Sequence, residues 1–394
     1  MGNPVIVSMG RTIGGSFGGS LSSLSSSELG AAVVAEVIKR AGISGAEVDQ
    51  LVFGCGWQAG IGPNVARILS VKGGLPVEVP AYTINIRCAS SLQAVIEACR
   101  SILCGDSDVV VAGGTESGSN VPYLLTQARW GARMWDFPAY DGLHKDGFMC
   151  ALAGMLMGNT AELLVEKYSI SREEQDTFAM DSHKKAAKAA AEGKFKDEIV
   201  PIEIKKKKDM VTVDQEEIPR ADASVEKMGK LPAVFKKDGG TVTAGNSCAL
   251  CDAASALVIM SEEKAKALGL TPLAKIRGYA AAGVEPKHMG IGPVAAIPPA
   301  LKKAGLTLED IDLIELNEAF AAQYIACERE MKFDRDKVNV HGGAIALGHP
   351  VGATGTKLIT TNVNTLKQYD KTFGLISACV GGGQGLAIVV ERLS

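Results

Sequence analysis

Residues 41–53, AGISGAEVDQLVF, align without a gap on residues 304–316, AGLTLEDIDLIEL. In each copy an apolar helical pattern comes first (AAVVAEVIKR, then AAIPPALKK) and a glycine stops it. Asp49 or Asp312 follows seven residues after that glycine, and an apolar strand comes next. A helix, a glycine stop and a strand are a common unit, but here the order continues in parallel. After the first copy come a turn at Cys88, a helix and the strand DVVVAGGTES; after the second come HGGAIALGHPVGATG, a helix and the strand FGLISACVGGGQG. The matching order points to an internal duplication. It predicts two α/β halves packed as two mostly parallel sheets, with helices outside and between them and corresponding strand ends meeting near a pseudo-twofold axis.

The turn at Cys88 repays close reading. Before it, GLPVEVPAYTINI alternates at strand spacing; after it, SSLQAVIEACRSIL puts Leu92, Val95, Ile96 and Cys99 at helical spacing. A thiol at a helix N-terminus faces unpaired N–H groups and the positive end of the peptide dipoles, which favour the thiolate. A cysteine that merely packs fits this stretch equally well. What separates the two lies in the second half of the chain.

Composition narrows the class. The chain of 394 residues is long enough for two to three domains, and 46% apolar residues with 45 glycines suit an α/β protein with many tight loops. A net charge of −3 argues against a general nucleic-acid or membrane-surface role. The nine cysteines follow no disulfide-framework spacing and fit a reducing compartment. With no secretory leader, no membrane-length apolar run and an ERLS ending that is no obvious peroxisomal address, the expected location is cytoplasmic.

Between the halves the repeat is interrupted. The expected organisation is an N-terminal half from residues 1–118 plus 246–270, a loop domain from 119–245 lying over the sites, and a C-terminal half from 271–394. The loop domain holds Trp130, Trp135 and a helix announced by a Ser171/Glu174 capping box and closed by Gly193. Lys205 to Lys208 reads as a solvated turn. A sharper reading joins it to Arg220, Lys227, Lys230, Lys236 and Lys237 as a positive surface for a phosphorylated ligand, of which only directly lining residues count after screening.

In the second half, Asn317 and Glu318 stand at the carboxyl end of an apolar strand, where α/β sheets build ligand sites; a plain helix cap also suits Asn317. His349 sits among five glycines and before Pro350, which predicts a shaped loop. Cys379 ends a strand, and the N–H groups of Gly381, Gly382 and Gly383 follow it as candidates to face a developing negative charge.

These segments together resemble the thiolase family over essentially the whole chain. The resemblance is carried by NIRCASS at Cys88, MGNTAE from Met157, SISREEQDTFA, FKDEIVP, TVTAGN, MGIGPV at Met289, NEAFAA at Asn317, GGAIALGHPVGATG and CVGGGQG. It implies an α/β thiolase fold, a duplicated five-layered αβαβα core with an inserted loop domain. It also implies Claisen condensation of two acyl-CoA molecules, or thiolytic cleavage of a 3-oxoacyl-CoA. By likeness Cys88 carries the acyl group, His349 takes its thiol proton and Cys379 is the second acid/base. One oxyanion hole falls to the N–H groups of Cys88 and Gly381, the other to His349 and a water held by Asn317. The implied CoA and substrate contacts are Met157, Arg220, Met228, Leu231, Phe235, Ala244, Cys248, Met289 and Phe320. Coenzyme A is then substrate and product, with no separate cofactor and no metal, and the chain forms a homodimer or homotetramer that meets near the Cys88 strand.

Some positions depart from the family pattern. Cys248 and Cys251 stand where serine and asparagine are common, so one CoA contact is weakened; their CxxC spacing, with no second pair, is poor evidence for zinc or dithiol chemistry. Leu156 replaces a frequent histidine, which predicts a drier and wider acyl pocket. Two other readings remain: an acyl-carrier-protein ketosynthase, which pairs its cysteine with two histidines or a histidine and an asparagine, and a non-catalytic acyl-CoA-binding protein.

Overall fold

The structure, a computed structural model, describes residues 2–394. Its first half is built on strands β1 (Pro4–Arg11), β2 (Gln50–Gly54), β3 (Ala81–Ile84), β4 (Val109–Ser117) and β5 (Cys251–Ser261). The second half has β6 (Ala274–Gly283), β7 (Leu313–Leu316), β8 (Phe373–Val380) and β9 (Gln384–Arg392). With a short strand at Gly15–Ser16 beside β5, they form one ten-stranded sheet in the order β7-β8-β9-β6-β1-β5-β4-β2-β3.

The duplication is visible in the pairing. In the first half β1 runs antiparallel to β5, β5 antiparallel to β4, and β4 parallel to β2; in the second β6, β9, β8 and β7 repeat that pattern strand for strand. The halves join through two residue pairs, Val5 with Lys275 and Ile6 with Ala274. The expectation of mostly parallel sheets is therefore corrected to mixed ones. The cause is connectivity: β8 turns back into β9 through residues 381–383, and a chain that reverses without a crossover helix must pair antiparallel. The equivalent connection in the first half, β4 to β5, carries residues 118–250.

Helices fill the remaining layers. They are α1 (Ser26–Ala41), α2 (Val65–Lys72), α3 (Ser90–Cys104), α4 (Met157–Tyr168), α5 (Arg172–Ala191), α6 (Gly292–Ala304), α7 (Ala321–Met331) and α8 (Thr354–Gln368). One face of the first half-sheet, with Val109, Val111, Val258 and Met260, packs on α1 and α2. Its other face, with Val110, Ala112, Leu257 and Ile259, packs on α3 and α8, which also meet Ile376, Ala378, Leu386 and Ile388 of the second half. Leu375, Ala387 and Val389 turn the opposite way, onto α6 and α7. Five layers result, and because both faces are covered the strands read as unbroken apolar runs.

The repeat unit forms for local reasons. Ser25 and Glu28 close a capping box on α1, and Gly42 ends that helix at φ 68°; Gly305 ends α6 at φ 71°. Both lie in the left-handed region that only glycine enters freely. The Asp49 carboxylate accepts the N–H groups of Asp108 and Val109, both at 2.8 Å, while Asp312 accepts those of Thr372 and Phe373 at 3.0 and 2.9 Å. Each aspartate thus ties the start of β2 or β7 to that of its parallel neighbour.

One further expectation changes. Only Ala81–Ile84 of GLPVEVPAYTINI is a strand, since Pro76 and Pro80 have no N–H to give a ladder. Residues 205–208 form the exposed tip of a hairpin between Ile202–Lys206 and Asp209–Val213, as the solvated-turn reading has it. The helix α5 carries both bonds of its Ser171/Glu174 box, and Gly193 follows its end at φ 69°. Among the described residues no helix is long and apolar enough to cross a membrane, and no cluster of three metal-ligating side chains occurs.

Candidate active site

Cys88 lies in a 3-10 turn, Arg87–Ala89, between β3 and α3. Ser90 shapes that turn: its hydroxyl accepts the Ile86 N–H at 3.0 Å and donates to the Arg87 carbonyl at 2.6 Å. The backbone N–H groups of Gly381 and of Cys88 itself face the sulfur. The expectation of a thiolate favoured at a helix N-terminus is nevertheless corrected. Enclosure raises the Cys88 thiol above its ordinary range, outweighing Arg87 and the two N–H groups. In the resting site Cys88 is therefore a thiol.

His349 lines the same cavity as Cys88. Its backbone N–H donates to the Ala249 carbonyl at 2.9 Å, and the Lys357 ammonium donates to the carbonyls of Leu347 and Gly348 at 2.5 and 3.1 Å, so the loop is held from both sides. Gly348, at φ 80°, leaves no room for a side chain, because a Cβ there would meet the Cys251 sulfur at 2.5 Å. The Thr354 hydroxyl gives its proton to the Pro350 carbonyl at 3.0 Å and lies 2.6 Å from His349 Nδ1. With that proton spent, Thr354 accepts and Nδ1 carries the ring hydrogen. Nε2, buried and without a partner, keeps its lone pair. Burial, then Lys357 and Arg87, push the His349 pKa down to about 3, so the ring is neutral throughout the physiological range.

Cys379, near the end of β8, is fully buried, and its thiol is driven well above the ordinary range by burial and by the neighbouring Cys88. Of the three glycines behind it, Gly381 points its N–H at Cys88, whereas Gly383 donates to the Val380 carbonyl at 3.1 Å and closes the turn. Cys88, His349, Cys379 and Gly381 line one cavity of about 80 Å³, together with Met157, Cys248, Met289 and Phe320. Trp57, Phe148 and Val351 complete its largely apolar wall. Asn317 does not line it. It is no helix cap either, because α7 begins after Phe320; its side-chain oxygen and nitrogen are buried and unpaired. Leu156 is absent from the wall, which its neighbour Met157 lines instead.

A second cavity, of about 260 Å³, is lined by Arg220, Met228, Leu231 and Ala244 with His183 and Lys227. Ser247 lines this cavity and Cys248 the catalytic one, so consecutive residues separate the two. Phe235 lies edge-on to Phe320, with ring centroids 6.1 Å apart. The broader positive surface does not assemble: residues 205–208 stay at their hairpin, and Lys227, Lys230 and Lys236 are paired with Asp222, Glu226 and Glu166. The CxxC pair also separates, with Cys248 in the cavity wall and Cys251 buried in β5.

These features decide the family. Residues 4–263 match the model of the thiolase N-terminal domain, and residues 270–392 that of the thiolase C-terminal domain. The chain belongs to the thiolase family. It is 49% identical to the acetyl-CoA acetyltransferase of Escherichia coli strain K12, with all of both chains covered. It is 48% identical to the acetyl-CoA acetyltransferase of Syntrophomonas wolfei over 99% of each chain. The crystal structure of the Bacillus anthracis acetyl-CoA acetyltransferase superposes with a TM-score of 0.97 at 46% identity, covering 100% of this chain and 99% of that one.

Three further residues, Glu116, Lys357 and Thr354, hold the cavity wall of this thiolase in place. The buried Glu116 carboxylate accepts the N–H groups of Gly56, Trp57 and Gly352 at 2.8, 3.1 and 2.8 Å, fastening the front-half wall to the His349 loop. A carboxylate ending the apolar run DVVVAGGTES was the available signal. Lys357 and Thr354 lie in the first turn of α8, where nothing in the spacing marked them.

Proposed function

We propose that the chain is an acyl-CoA C-acetyltransferase. It condenses two acetyl-CoA to acetoacetyl-CoA and CoA, or cleaves a short-chain 3-oxoacyl-CoA with CoA, through a thioester on Cys88. The observation that carries this reading is the meeting of Cys88 from one half with His349 and Cys379 from the other around one small apolar cavity. His349 Nε2 takes the Cys88 proton, and the thiolate attacks the thioester carbonyl. The N–H groups of Cys88 and Gly381 receive the oxyanion, and CoA leaves as its thiol with the proton from His349. In synthesis His349, neutral again, takes the Cys379 proton; the Cys379 thiolate removes the α-proton of the second acetyl-CoA, the resulting enolate carbon displaces Cys88 from its thioester, and Cys88 recovers its proton from His349. In cleavage Cys379 protonates the departing carbanion and recovers its proton from His349. A thiol held above its ordinary range suits both, as it keeps its proton at rest and is a strong base once it has lost it. A neutral His349 becomes an N–H donor on taking a proton and can then share the second oxyanion with a water held by Asn317.

The cavity lined by Arg220, Met228, Leu231 and Ala244 is where the pantetheine and nucleotide arm of CoA lies in this reading, with residues 119–245 as its cover. Coenzyme A is substrate and product. A cytoplasmic homodimer or homotetramer is proposed: β3 is an edge strand bonded on one side only, and Trp130 and Trp135 stand 80% and 85% exposed. A second cysteine in the place of a second histidine or asparagine speaks against a ketosynthase. The test is a thiolysis profile over 3-oxoacyl chain lengths, read with acetoacetyl-CoA formation. Activity concentrated on acetoacetyl-CoA and its near homologues is expected; preference for long chains, or for acyl groups on carrier protein over CoA, contradicts it.

A further inference from the structure

Arg87 is the only charged side chain in the wall of the catalytic cavity among the described residues, and the mechanism above gives it nothing to do. It directly precedes Cys88 and adopts φ 60°, the left-handed region that a side chain of its size seldom enters. The guanidinium lies over the Trp57 ring at 4.7 Å and donates to the Gly56 carbonyl at 2.9 Å. The Arg87 N–H is taken by the Asn85 side chain at 3.1 Å and its carbonyl by Ser90 at 2.6 Å. Trp57 is itself braced edge-on by Phe148, with ring centroids 5.7 Å apart. A long, flexible cation is thus fixed at both ends beside the nucleophile.

We propose that Arg87 is an electrostatic positioning residue for Cys88: its guanidinium, locked on Trp57, supplies the positive charge that favours the reactive thiolate over the thiol. The other groups facing Cys88 are neutral or already committed. His349 keeps a neutral ring, Cys379 and Cys248 are protonated thiols, and the Glu116 carboxylate is turned into three backbone N–H groups. Lys357 spends its ammonium on loop carbonyls. Arg87 opposes the pull of enclosure on the Cys88 sulfur, and it is the largest influence in that direction. The wall is almost wholly apolar, and in such a low-dielectric setting a nearby charge acts over a longer range than it does in water.

The inference rests on Cys88 being the nucleophile of the proposed reaction, yet it is read without turnover. The rate of Cys88 alkylation by iodoacetamide is followed against pH by peptide mapping, in wild type, Arg87→Met and Arg87→Lys. The ratio of iodoacetate to iodoacetamide rates is taken at one pH. Arg87→Met is expected to move the midpoint up by about one pH unit, the lower end of the effect of a close opposite charge. It should also lower the iodoacetate ratio several-fold, because the anionic reagent loses its attraction. Arg87→Lys should keep both near wild type. Overlap of Arg87→Met with wild type in both readouts overturns the proposal, as does an equal change in Met and Lys variants, which marks a purely structural role. Should Arg87→Met not fold, Arg87→Gln carries the same comparison. A wild type that shows the alkylation profile but no thiolysis refutes the proposed function and leaves this inference standing.

Discussion

His349 acts as a neutral ring held in one tautomer, and that state has a measurable consequence for stability. Its folded pKa of about 3 lies below the ordinary histidine value near 6.5, so between these two the unfolded chain binds the extra proton. Stability on this account is full above about pH 6.5 and falls as pH drops toward 3, at a slope approaching about 1.4 kcal/mol per pH unit for this one group. His183 and His341, both lowered to about 4, add the same sign. Buried carboxyls such as Glu116 and Glu318, raised above their ordinary range, work in the opposite sense, so the clean readout is a difference. Urea midpoints of wild type and His349→Asn between pH 6.5 and 4.5 should diverge, with the variant losing less. Parallel slopes contradict a neutral buried His349. The same variant should slow acylation of Cys88 by a factor on the order of 10² to 10³, the usual effect of losing one group that handles the transition-state charge.

At the scale of elements, the duplication makes its own prediction. Asp49 and Asp312 do the same task in the two halves, each carboxylate holding two backbone N–H groups at the start of a parallel strand pair. Asp49→Ala and Asp312→Ala should each lower stability by about 1–2 kcal/mol, and the double variant should be additive within roughly 0.5 kcal/mol because the sites share no partner. Chemical denaturation checks this; a loss confined to one of the two argues against equivalent roles. Glu116 differs in kind, since it ties the Trp57 segment to Gly352, three residues beyond His349. Glu116→Gln turns an N–H donor toward one of three N–H groups. It should lower the rate of Cys88 acylation more than tenfold while leaving far-ultraviolet dichroism unchanged; an unaltered rate contradicts the bridging role.

Across the whole molecule, what the chain disclosed in advance follows from distance along the sequence. The repeat, the cap at Ser171/Glu174, and the turns at Cys88 and Gly381 were readable because their causes lie within a few residues. Strand direction was not, since apolar runs look alike in parallel and antiparallel sheets. Nor was the buried Arg11, whose guanidinium meets Glu198 and Glu216, residues 187 and 205 positions away. No local pattern marks such pairs. The Cys88 environment reverses its local pattern for a related reason: the N–H groups come from the turn itself, but the enclosure that outweighs them comes from Phe148, Met157, Met289 and Phe320, folded over from elsewhere in the chain.

The central claim is that a sulfur from one half and an imidazole and a sulfur from the other carry out a two-stage acyl exchange. Its most direct test is acid-quenched labelling with radioactive acetyl-CoA followed by peptide mapping, in wild type, Cys88→Ser and Cys379→Ser. One thiol-labile acetyl group on Cys88 is predicted in wild type, none in Cys88→Ser, and an undiminished label in Cys379→Ser, which should acylate but no longer turn over. Label found elsewhere than on Cys88, or lost equally from both variants, would contradict the account.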